Sequence, residues 1–355
     1  MPVSPDLVRL SPKVVLHDHL DGGLRPATVL ELSREQGVTA PGATAEEVAD
    51  WFFETADSGS LPKYLETFDV TVGLMQTPEA LRRVAREYVE DMASDHVVYA
   101  ETRWAPQQHT AGGLSMGEAV DAVQAGLDEG MAEVAELGRP VVIKQLLTAM
   151  RQLDPDPDFA ELVTHRLRRG VVGVDLAGPE AGFGPERFLD LFDDVADAGG
   201  HVTIHAGEGD GLESIRAALN CGAERLGHGV RLVEDITSYG AGVLQLGEVA
   251  AEVLQAAIAL EVCPSSNVQT GLCNDVRTHP VAVLWQAGLP VTISPDNRLM
   301  SRTSATREST LTADALGWEV EDLHHVAVTA ADAAFCDEKT REIVRERVDE
   351  GFAAL

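Results

Sequence analysis

The sequence predicts a (β/α)8 barrel. Three observations lead there: eight short apolar runs recur along the chain, helical patterns separate them, and no repeat or linker divides the 355 residues. Such an alternation buries a parallel sheet inside a ring of helices. An open doubly wound sheet is the runner-up. No GxGxxG follows an early strand, so dinucleotide binding has no support.

The strand candidates, in order, are residues 13–17, 97–103, 141–147, 171–176, 201–205, 225–228, 260–263 and 290–294. The sixth is short and weakly signalled. Residues 78–92 read as a helix because Thr77 can cap it and Pro78 suits its first position. Residues 115–137, 186–198, 212–220, 246–257 and 279–287 carry apolar side chains at three-to-four spacing. Roughly 80 residues separate the first two strands, and 27–36, 45–55 and 61–74 within them look helical. An insertion after the first strand lies over the C-terminal mouth of a barrel, where active sites sit. A lid of about residues 27–75 is therefore expected, on one domain spanning 1–355. Two C-terminal helices, 319–334 and 337–352, carry solvent-face charge and no chemistry.

Composition excludes several classes of function. Hydrophobic residues make up 45 % and charged residues 24 %, which favours a packed core over disorder. Acidic residues number 58 and basic residues 27, a formal charge of −31. Nucleic acids and anionic membranes need a basic footprint, so neither is an expected partner. Cys221, Cys263, Cys273 and Cys336 are too few and scattered for a disulfide framework. The N-terminus lacks a signal-peptide pattern, and no apolar run approaches membrane-spanning length. A reduced cytoplasmic protein is the expectation.

The candidate chemistry collects at the C-terminal ends of the strands. His17 and His19, at i and i+2 on the first strand, face one side. The fifth strand ends at His205 with Glu208 three residues on, the sixth at His228 between Gly227 and Gly229, and the eighth runs into Asp296 and Asn297. The other seven histidines mostly fall elsewhere. Three neutral imidazoles and a carboxylate can hold one divalent cation and lower the pKa of a water bound to it. A further imidazole can orient that water or take its proton, and a carboxylic acid can protonate the electron-accepting group. No protein nucleophile is set up. Ser265 and Ser266 lack a GxSxG elbow, and Cys263 reads as a small core residue.

In combination these segments resemble the adenosine deaminases, metal-dependent aminohydrolases of barrel fold. The resemblance covers nearly the whole chain: residues 13–22, 175–178, 205–208, 225–229 and 263–267, with a bacterial flavour in 60–69 and 297–301. It implies that His17, His19, His205 and Asp296 bind one zinc ion per chain. It implies that Glu208 protonates purine N1, and that His228 with Asp296 orients the attacking hydroxide. It further implies that the Gly178 N–H meets N3, that Asp21 holds the ribose 5′-hydroxyl, and that Leu61, Tyr64, Leu65 and Phe68 form an apolar gate. The implied reaction converts adenosine, and 2′-deoxyadenosine, to inosine and ammonia.

Three departures from the family pattern stand out. Ser294-Pro295 precedes Asp296-Asn297, so a backbone donor is lost and the strand end stiffens. Asn297 can still donate its amide to purine N7. Pro179 follows Gly178 and cannot donate, and Gly209-Asp210 follows Glu208. Alternative substrates are free adenine and adenosines with a larger 5′-group, such as aminodeoxyfutalosine. A two-metal amidohydrolase would commonly use a bridging lysine, and Lys144 on the third strand is the one loose end. A catalytically silent protein of the same fold is a third reading. Cytidine-deaminase-like editors need HxE and PCxxC, and both are missing.

Overall fold

The fold is taken from a computed structural model that describes residues 3–240 and 242–355. Eight parallel strands pair in sequential order: Lys13–His19, Val97–Trp104, Val142–Met150, Val171–Ala177, His201–Ala206, Arg225–His228, Ala259–Val262 and Val291–Ile293. They match the expected runs, with ends displaced by a few residues. The sheet closes where Asp18 bridges Asp296 in parallel register. There the His19 N–H donates to Asp296 O at 2.7 Å, and the Asp296 N–H donates to His17 O at 3.0 Å. Ser294 Oγ accepts from the N–H groups of Leu16 and His17 at 3.3 and 3.2 Å. The N–H that Pro295 lacks is therefore not missed, because its neighbours on both sides seal the seam.

Helices cover the outside of the barrel. Pro78–Ser94 starts on Thr77, whose hydroxyl accepts from the Ala80 N–H. Its Leu81, Val84, Ala85, Tyr88 and Met92 are buried at helical spacing. The insertion after the first strand folds as Pro26–Gln36, Ala45–Ala56, Leu61–Leu65 and Phe68–Leu74. The expected helix over 61–74 is thus broken in two. Thr67 Oγ1 donates to Tyr64 O at 2.7 Å, a local bond that competes with helix continuation.

Other expectations are also corrected. Residues 246–257 do not form one helix, because Leu244–Leu246 pairs antiparallel with Ile236–Ser238 and the helix is Glu248–Gln255. The helices Pro5–Leu10, Pro157–Arg166, Pro264–Gln269 and Ala305–Leu316 were not expected. Three of them open on a proline at the first turn, a start signal that their short length obscured.

The barrel interior is polar where branched aliphatics are the usual filling. Arg103 donates to Asp175 Oδ1 at 3.3 Å and to Glu261 Oε2 at 2.7 Å. Arg225 donates to Glu261 Oε1 at 2.7 Å and pairs with Glu101. All five side chains are buried. Three carboxylates share two guanidiniums, and the remaining acceptor capacity meets Thr203, Tyr99, the Phe335 N–H and two pocket histidines. A buried ion network holds when its carboxylates are paired in this way.

Candidate active site

The polar column ends at the mouth in a cluster of imidazoles. Ligand atoms of His17, His19 and His205 lie within 4.8 Å of one another, as do those of His17, His228 and Asp296. His17 Nε2 and His19 Nε2 each lie 3.4 Å from Asp296 Oδ1. His17 Nε2 is buried without a hydrogen-bond partner. A buried, unpaired imidazole nitrogen beside two more rings and a carboxylate fits a divalent cation of the zinc type.

Carboxylates behind the rings set their orientation. His17 Nδ1 sits 2.9 Å from Glu261 Oε2, and His205 Nδ1 sits 3.0 Å from Asp175 Oδ1. Burial would raise both acids. Arg103 and Arg225 outweigh it at Glu261, and His205 with Arg103 does so at Asp175, so both lie well below the usual carboxylate range. An ionised carboxylate accepts only, so each ring directs an Nδ1 proton at it and turns Nε2 toward the pocket, where a cation can be held. Burial lowers His19 to about 3, which keeps that ring neutral.

Glu208 and His228 stand beside this cluster. Glu208 Oε2 lies 3.5 Å from His228 Nε2, and His228 Nε2 lies 3.9 Å from Asp296 Oδ2. Burial, then the charges of Asp296 and Glu180, push Glu208 well above the usual carboxylate range. The shift favours its protonated form. His228 and Asp296 both take left-handed backbone conformations, at φ 61° and 63°. Strain of this kind, of order 1–3 kcal/mol, survives where the surroundings over-determine the geometry.

A cavity of about 190 Å³ opens onto His19 and is walled by Asp21, Leu65, Phe68, Gly178 and Gln152 among others. Gly178 takes φ 107°, and a Cβ there would come within 2.3 Å of Gln152 Oε1. Asp21 is buried at 3.5 Å from His109 Nε2. Leu61 packs against Gly209, next to Glu208. Asn297 lies so close to Gly22 that a Cβ there would fall 2.0 Å from its Oδ1. Tyr64 is buried, with its hydroxyl 3.5 Å from Ser301 Oγ.

Sequence reasoning gave no role to Asp175, Glu180 or Glu261. Asp175 and Glu261 could have been flagged as charges inside apolar strands. Glu180 gave no signal, being a loop residue after Pro179. Its carboxylate accepts from four consecutive backbone N–H groups, Gly207 (2.6 Å), Glu208 (3.0 Å), Gly209 (2.6 Å) and Asp210 (3.1 Å), and so pins the turn that presents Glu208.

Comparison with known proteins agrees with this geometry. The adenosine deaminase family matches residues 12–351. The chain is 47 % identical over 356 residues to adenosine deaminase 1 of Streptomyces coelicolor, covering 99 % of this chain and 90 % of that one. It is 47 % identical over 354 residues to the adenosine deaminase of Mycobacterium marinum, covering 99 % and 98 %. Among solved structures it is similar to an Arabidopsis N6-mAMP deaminase, with TM-score 0.81, 27 % identity and coverage of 97 % of this chain and 99 % of that chain. With its barrel, its clustered imidazoles and its buried glutamate in place, the chain belongs to the adenosine deaminase family.

Proposed function

We propose that this protein hydrolytically deaminates adenosine and 2′-deoxyadenosine, giving the inosine nucleosides and ammonia, with one zinc ion per chain. The observation that carries the reading is the convergence of three buried histidines, Asp296 and the buried Glu208 at one mouth. His17, His19, His205 and Asp296 would hold the metal. When bound, it supplies a Lewis acid that makes water a nucleophile at neutral pH.

The chain's own residues do the rest. Glu208 gives its proton to purine N1, which draws electron density from C6 and opens that carbon to attack. His228, with Asp296, orients the attacking water. The Gly178 N–H meets N3 and the Asn297 amide donates to N7. Leu61, Leu65 and Phe68 close over the base. Tyr64 belongs to the same gate, its hydroxyl 3.5 Å from Ser301 Oγ. Residues of about 27–75 act as the lid of a single domain. The four cysteines are free, which supports a reducing, cytoplasmic setting. Among the described residues no helix is long and apolar enough to cross a membrane.

Asp21 decides between a nucleoside and a nucleotide. A buried carboxylate in the cavity wall accepts a hydrogen bond from a 5′-hydroxyl and repels a 5′-phosphate. Free adenine would leave its Oδ1 without a hydrogen-bond partner. The test is a panel of adenosine, 2′-deoxyadenosine, adenine, AMP and 5′-substituted adenosines, offered to zinc-loaded protein and followed by ultraviolet absorbance. The highest kcat/KM is expected for the nucleosides. Equal or faster turnover of adenine or AMP overturns the substrate assignment.

A further inference from the structure

Two overlapping triads offer ligand atoms in the pocket, His17 with His19 and His205, and His17 with His228 and Asp296. Distance alone does not separate a ligand from a hydrogen-bond donor. The groups behind His228 do separate them. The Val281 N–H, which can only donate, points at His279 Nδ1 at 3.0 Å. That nitrogen must be a lone pair, so the proton of neutral His279 is on Nε2. His279 is buried, and burial lowers its pKa to about 4, in keeping with a neutral ring. Its Nε2–H donates to Asn267 Oδ1 at 3.1 Å. This bond turns the buried amide so that Asn267 Nδ2 faces His228 Nδ1 at 3.1 Å. An amide nitrogen donates, so His228 Nδ1 accepts, and the ring's own proton sits on Nε2.

We propose that Asn267 and His279 are positioning residues that hold His228 with its proton on Nε2, so that it donates a hydrogen bond into the pocket and neither ligates the metal nor accepts a proton there. His17 and His205 are the contrast. Each has a carboxylate behind its Nδ1, which leaves Nε2 to face the cluster. His228 has an amide donor behind it and an N–H in front. One pocket thus makes two imidazoles into ligands and a third into a donor, through the polarity of what lies behind each ring. The relay begins at a backbone N–H, whose polarity no side-chain motion reverses. The consequence for turnover rests on the deaminase reading above; the position of the proton does not.

The test separates the two. Metal-loaded protein labelled with 15N-histidine is read by NMR, with His228 assigned from the signal lost in His228→Gln. A pyrrole-type Nε2 and a pyridine-type Nδ1 are expected, and a proton on Nδ1 in the parent overturns the inference outright. Asn267→Asp keeps the shape and the bond to His279 but places a carboxylate oxygen on His228 Nδ1. Its Nδ1 is expected to become protonated, with metal content unchanged. A misplaced proton on a catalytic histidine costs up to about 10⁴ in kcat in a serine-protease triad, so a fall of about 10²–10⁴ in kcat is expected here, with KM within about threefold. Parental kcat with Nδ1 protonated overturns the donor role. His279→Gln, whose amide can still donate to Asn267, is expected to retain kcat within about tenfold, and His279→Leu to fall below it. Equal rates for those two overturn the relay even if Asn267→Asp does not fold. If the parent deaminates no aminopurine, the deaminase reading fails, and the 15N spectrum still decides where the proton sits.

Discussion

Glu208→Gln tests the acid at its most exposed point. The side chain is buried, its Oε2 is 3.5 Å from His228 Nε2, and the backbone beneath it is held by Glu180. Glutamine has nearly the same shape, so the loop and cavity survive. Its amide can donate a hydrogen bond to N1 but cannot release a proton. Glu208 lies outside both candidate ligand triads, so metal content is expected to stay at the parental level. What remains is the loss of general-acid catalysis, about 10²–10⁴ in kcat, or about 2.7–5.4 kcal/mol at 1.36 kcal/mol per decade. KM should move by less than about threefold, because ground-state contacts persist. The acid form is present below the raised pKa of Glu208 and is lost as pH rises through it. The parent should therefore lose kcat/KM on its alkaline side, and the residual rate of the variant should lack that limb. Initial rates by ultraviolet absorbance and metal content by plasma mass spectrometry, taken on the same samples, give both quantities. A variant with normal metal and kcat within about tenfold of the parent removes Glu208 as the acid.

Three further outcomes are expected. Asp296→Asn tolerates the left-handed backbone at φ 63° and removes only the charge 3.4 Å from His17 and His19, so metal retained after dialysis and kcat should fall together; full occupancy at parental rate contradicts a ligand role. Glu180→Ala strips the acceptor from four N–H groups, and kcat should drop by about 10–100-fold with metal unchanged, Glu180→Gln falling between because its carbonyl can keep part of the contacts; equal kcat across the three proteins argues against the loop anchor. Glu261→Gln leaves Arg103 and Arg225 undercompensated in the barrel, and urea unfolding should show a loss of about 3–5 kcal/mol, together with weaker metal retention as His17 loses its charged acceptor. An unchanged midpoint contradicts that account.

What could be read from the linear chain follows from local chemistry. Alternating strand and helix periods give the barrel, because each apolar run has to be buried against its neighbours and the helices outside them. Histidines and carboxylates at strand ends give the mouth, because the C-terminal rim is where a barrel's interior faces solvent. The ends of the lid helices were less legible. The break after Leu65 depends on one threonine hydroxyl choosing a carbonyl over solvent. The start at Glu248 depends on residues 244–246 finding a strand partner.

The protonation pattern of the site was decided only in three dimensions. His17, His205 and His228 are alike as letters, and nothing adjacent in sequence distinguishes them. Their partners lie far along the chain: Glu261 behind His17, Asp175 behind His205, and Asn267 with His279 behind His228. A neutral imidazole has one proton and one lone pair, and what touches its far nitrogen selects which of them meets the substrate. The sequence determined that several imidazoles would gather at one rim. Closure of the sheet, and the buried charges stacked beneath it, determined what each ring can do.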